Sequence, residues 1–98
     1  MRERVQSLYA IKCKEYYKIG ITSNIKDRIY TLQSSNPYKL KIIFLKKFRT
    51  RKTVRLNEVK LHHHFHDKRG MGEWFKLNSD DVKYIKNFKF IKPLKDNA

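Results

Sequence analysis

The chain has 98 residues, of which 40% are hydrophobic, and its 24 Lys and Arg against nine Asp and Glu leave a net charge of +15. That length supports one domain with one core, taken here as residues 1–98, and that apolar share excludes wholesale disorder. The longest apolar run, residues 42–45, is far short of the ~20 a spanning helix needs, and a single cysteine, Cys13, excludes an internal disulfide.

Residues 5–12 are rich in β-favouring side chains and predict a strand, and residues 16–21 predict a second, joined by a short hairpin. With Cys13 and Lys14 as a two-residue loop, Lys12 faces Glu15 and Tyr9 faces Lys18. A helix follows, capped by Ser23 or Asn24, with Ile25, Ile29 and Leu32 on one core-facing stripe and Arg28 at its edge. Asn36-Pro37 ends it. Residues 40–48 predict a third strand, apolar enough at 42–45 to be covered on both faces. Residues 53–65 predict a second helix whose stripe of Val54, Leu61 and Phe65 has Glu58 in its middle and His62 at its margin. A turn at 69–72, a short extended piece at 73–77 and a helix at 78–87 capped by Asn78 or Ser79 complete the elements. The Lys-rich end after Phe88 is strand-like or frayed.

A charge of +15 asks for a polyanion, and nucleic acid is the first candidate, ahead of an anionic membrane surface. No basic amphipathic helix or lipidation motif favours the membrane, and no signal-peptide pattern opens the chain, so an intracellular, cytoplasmic location is expected. A Lys-rich genome is the competing explanation of the charge.

Glu58 is the most informative residue. A carboxylate on the buried face of a helix is costly unless it meets a cation, which can be Arg28, a Lys or a metal ion. Arg28 borders the core, where its planar fork suits a phosphate, or else it is simply solvated. Tyr9 beside Lys18 would have its phenolate favoured and could help deprotonate water, although a strand tyrosine alone is ordinary packing. His62 and His66 share a helix face, but neither an intervening Glu nor a nearby cysteine completes a zinc site. With three glycines in the chain, no phosphate-cradling loop exists.

Together, Leu8-Tyr9-Ala10, Lys18-Ile19-Gly20, Arg28 and Glu58 resemble the GIY-YIG nuclease superfamily. The stretches at 17–22, 58–65 and 72–75 look like its T5orf172 or MUG113-like branch, and the likeness spans roughly residues 7–77. It implies an α+β fold with a small three-stranded antiparallel sheet flanked by helices. It also implies a site in which Tyr9 assists water attack, Arg28 contacts the scissile phosphate and Glu58 anchors Mg²⁺ or Mn²⁺. His62 matches the branch's histidine and would orient water or phosphate; Glu73 matches too, or packs beside Trp74 and Phe75. Two departures stand out: Lys18 replaces the second tyrosine, and Leu8 and Ala10 flank Tyr9 in place of Gly and Ile. Lys18, Lys26 and Arg28 are the expected nucleic-acid contacts. The expected function is a divalent-metal-dependent DNA endonuclease without a small-molecule cofactor. The alternative is a catalytically inactive, basic nucleic-acid-binding module of the same fold. Oligomeric state and substrate structure are not encoded in any motif.

Overall fold

The computed structural model describes residues 5–94. Strands β1 (Gln6–Cys13), β2 (Tyr16–Thr22), β3 (Lys41–Phe48) and β4 (Trp74–Lys76) form one antiparallel sheet in the order β3-β1-β2-β4. Helices α1 (Ile25–Ser34), α2 (Arg51–His64) and α3 (Ser79–Asn87) complete the α+β architecture. The sheet therefore has four strands, not the three expected. The extended piece after the 69–72 turn is long enough to pair Trp74, Phe75 and Lys76 with Lys18, Tyr17 and Tyr16.

The hairpin corrects the expected register. Its loop is Lys14-Glu15, so Cys13 faces Tyr16 and Tyr9 faces Gly20 rather than Lys18. Lys14 takes the left-handed conformation, φ 58°, that a two-residue hairpin loop demands, and its ammonium lies over the Tyr38 ring. The third strand departs from expectation too. It is an edge strand, leaving Ile42 and Leu45 each 39% exposed where cover on both faces was predicted. The fourth strand joined beside β2, so nothing in the sheet flanks β3 except β1. A bulge places Ala10 opposite Phe44 and Ile11 opposite Ile42, with Ile43 as the extra residue.

Side chains alternate across the sheet and build two cores. Leu8, Ala10, Tyr17 and Ile19 pack on one face against Val54 and Leu61 of α2, Phe65 just beyond its end and Ile85 of α3. Tyr9 and Ile11 pack on the other face with Leu40, under the α1 stripe of Ile25, Ile29 and Leu32. The caps are Asn24, Thr50 and Asn78, the last forming a reciprocal capping box with Asp81.

After α3 the chain runs back to the sheet, where Phe48 bridges Pro93 and Leu94 N–H donates to the Lys47 carbonyl at 2.8 Å. Asn57, fully buried on α2, anchors this return. Its amide donates to the Thr53 and Ile91 carbonyls at 2.8 and 3.0 Å and accepts from Ile91 N–H at 2.9 Å. Asn57→Ala strands the Ile91 backbone groups and is expected to cost about 2–4 kcal/mol, read as a lower urea midpoint at unchanged slope. A loss below a few tenths would show that the return segment is held by its apolar contacts alone.

Candidate active site

The site lies at the β2 edge, where the sheet stops being covered. Because β4 pairs only with Tyr16–Lys18, the strand beyond Lys18 has an open outer side. There Ile19 N–H reaches the Glu73 carbonyl at 3.4 Å, and the Ile19 carbonyl accepts from His62 Nε2 at 2.8 Å. Nε2 is the donor in this hydrogen bond, which leaves Nδ1 as the ring nitrogen available to another group.

Tyr9 reaches this edge from the α1 side by crossing Gly20. A Cβ on Gly20 would stand 2.6 Å from the Tyr9 hydroxyl and 2.9 Å from Cζ, so only glycine lets the ring through. Tyr9, Arg28, Glu58 and His62 then line a single cavity of about 580 Å³. The four residues come from three elements and from both faces of the sheet, and the cavity at the edge is where they meet.

The same cavity holds three arginines the sequence reading did not single out, together with Glu73, which it did. Arg51 and Arg55 stand on α2 two turns and one turn before Glu58, and Arg69 and Glu73 come from the loop before β4. Positions 51, 55, 58 and 62 fall at i, i+4, i+7 and i+11, one helix face, so this signal was present in the spacing. Glu73 had been weighed against simple packing. Its carboxylate instead closes a group with Glu58 and His62 whose ligand atoms all lie within 4.8 Å of one another. Among the described residues this is the one such group of His, Cys and acidic side chains. His66 takes no part in it: its Nδ1 bonds the His63 carbonyl, and His64 stacks on Tyr84.

Lys18 does not belong to the cavity lining. Its ammonium stands 3.9 Å from Glu73 and 5.5 Å from the centre of the Trp74 ring, not beside Tyr9 as expected. Lys26 is exposed on the first turn of α1, also outside the cavity.

Electrostatics follow from this placement. Burial pushes the Tyr9 phenol up to about 12, with Arg28 pulling it down and Glu73 and Glu58 pushing it up. The expected preference for phenolate is therefore reversed, because Lys18 points elsewhere and burial dominates. Burial also raises the Glu58 carboxyl above its ordinary value; His62, Arg55 and Arg51 work against this, while Glu73 adds to it. Glu58 is 7% exposed, and the ion pairs among the described residues, Lys18–Glu73, Lys68–Asp81 and Lys76–Glu15, do not include it. No Arg28–Glu58 salt bridge is formed.

Guanidinium groups gathered around a buried carboxylate at a sheet edge are suited to phosphate, as in nuclease-like and other nucleic-acid-related domains. The T5orf172 domain family matches over residues 6–89. The chain belongs to that family, which is associated with the GIY-YIG-like nucleases. No curated protein and no solved structure matches the chain. No helix among the described residues is long and apolar enough to cross a membrane.

Proposed function

We propose that the chain is a divalent-metal-dependent endonuclease that hydrolyses a DNA phosphodiester. The observation that carries this reading is Glu58: a carboxylate 7% exposed, outside every ion pair of the described residues, on a cavity wall shared with Arg28 and Tyr9.

The donor set fits a metal ion. Two carboxylates and an imidazole offer ligand atoms within 4.8 Å of one another, so that rotation of their side chains can bring them onto one centre. The nitrogen donor suits Mn²⁺ better than Mg²⁺, which prefers oxygen alone. Glu58, His62 and Glu73 would hold the ion, which when bound supplies Lewis-acid charge to the phosphoryl oxygens and the leaving group. Lys18 then serves as the partner that aims Glu73. Arg28 grips the scissile phosphate with its planar fork, Arg51 and Arg55 take neighbouring phosphates, and Lys26 extends the contact along α1. Tyr9 hydrogen-bonds the attacking water and takes its proton as phenolate.

A phenol near 12 is ionised in only about one molecule in 10⁵ at pH 7, yet the phenolate is a strong base. Cleavage should therefore accelerate about tenfold per pH unit between roughly pH 6 and 9, and Tyr9→Phe should lower the rate ~10²–10⁴-fold. Plasmid nicking with Mn²⁺, Mg²⁺ or EDTA, with Arg28→Ala as the contamination control, provides the measurement. Absence of metal-dependent cutting on every DNA form would remove the nuclease reading and leave the inactive, basic nucleic-acid-binding module.

A further inference from the structure

A second cleft, of about 460 Å³, lies on the other side of the loop that closes the first and is lined by Cys13, Tyr16, Asn36, Gly70, Met71 and Trp74. We infer that it seats an unpaired nucleobase of the DNA strand lying in the candidate active site. The inference rests on the nucleic-acid reading of that site but not on cleavage.

The loop between the two clefts belongs to both. Arg69 and Glu73 line the catalytic cavity, whereas Gly70, Met71 and Trp74 line the second cleft. The loop is held tightly: Gly70 N–H donates to the Trp74 carbonyl at 2.7 Å and Trp74 N–H to the Met71 carbonyl at 3.0 Å. Arg69 Nε donates to the Gly72 carbonyl at 2.6 Å, and Gly72 supplies the left-handed turn with φ 59°. One rigid wall therefore serves two adjacent sites.

The lining offers two aromatic rings and a thioether, surfaces on which any base can stack. Met71 is 88% exposed and Tyr16 is 39% exposed, apolar area that has no cover within the described fold. One polar group directs a ligand edge. The Asn36 carbonyl accepts from Tyr38 N–H at 2.9 Å, and its amide nitrogen contacts only the weak acceptor Cys13 Sγ at 3.5 Å, leaving a second N–H to donate. Charge points the same way. Lys18 places its ammonium between Glu73 and the Trp74 ring, the seam that a sugar-phosphate backbone crosses in passing from one cleft to the other. Phosphate in the first cleft, Lys18 at the seam and a base in the second matches the polarity of a nucleotide.

Trp74 is the single tryptophan, so its fluorescence reports on this cleft directly. The full chain in EDTA is titrated with a short single-stranded DNA and with a blunt duplex of equal length. Saturation with the single strand is expected to quench Trp74 strongly, and the duplex to quench it little. Tyr16→Ala should weaken single-strand binding about tenfold and leave duplex binding unchanged. Met71→Ala, at an exposed position that the fold does not need, should weaken it severalfold. Single-strand binding with flat Trp74 emission, or equal quenching by the duplex, overturns the base seat alone. Emission that changes with protein concentration in the absence of DNA identifies a second copy as the occupant and also overturns it. Failure to bind either DNA removes the nucleic-acid reading as well, whereas selective quenching in EDTA with no cutting in the plasmid assay with Mn²⁺ or Mg²⁺ removes only the nuclease reading.

Discussion

Glu58→Gln is expected to abolish metal-dependent cleavage while making the metal-free protein more resistant to heat. Both effects have one origin. Burial raises the Glu58 carboxyl, so the folded state binds its proton more tightly than the unfolded chain does. Stability from this group is therefore full below the unfolded value near 4.5 and is lost as pH rises through the higher folded value. At pH 7 the ionised carboxylate opposes folding, and the neutral amide of glutamine removes that opposition at nearly constant shape. Without its central carboxylate the donor group keeps only His62 and Glu73, and several kcal/mol of charge stabilisation disappear, roughly a thousandfold in rate. Thermal melts with and without Mn²⁺ separate the possibilities. The wild type should gain stability with the ion and the variant should not. A variant that melts lower than the wild type without metal would mark Glu58 as one half of a structural ion pair and defeat the metal reading.

Gly20→Ala is the second substitution with a large expected effect, although it removes no functional group. Its methyl would occupy space 2.6 Å from the Tyr9 hydroxyl, and Tyr9, only 2% exposed, can yield only toward the cavity it lines. The ring must shift off the strand edge, at a cost of about 1–3 kcal/mol in stability for the overpacking. Displacement of the phenol by even an ångström should reduce cleavage on the order of 10²-fold. DNA affinity should stay near the wild-type value, because the arginines are untouched. If cutting is unimpaired while stability falls, Tyr9 is a packing residue and another group accepts the proton.

Much of this arrangement was legible in the sequence, for identifiable reasons. Glu58 declared itself because a carboxylate interrupts an otherwise apolar helical face, and the stripe of Val54, Leu61 and Phe65 is buried as the period requires. The α1 stripe and the Asn24 and Asn78 caps also follow from local chemistry. Long-range facts did not. Whether Tyr9 faces Lys18 or Gly20 depends on which residue accepts a positive φ, and Lys14 is no conspicuous candidate. A strand as short as β4 has no periodicity to detect, and its position beside β2 is what left β3 at an edge. Arg51 was overlooked because the helix was expected to begin at residue 53, beyond it, whereas Thr50 caps α2 and brings Arg51 onto the face of Arg55, Glu58 and His62. Glu73 sits in a loop, where spacing carries no facing information.

Arg28 belongs to the layer on one side of the sheet and Arg51 and Arg55 to the layer on the other, and all three open on the same hollow. Filled with water alone, such a hollow sets like charges against each other across its mouth. An anion reverses the sign of that pressure and becomes a clasp between layers otherwise joined through the sheet. Under the proposed function, substrate grip and structural cohesion are thus the same force, and the molecule is at its loosest when it has nothing to hold.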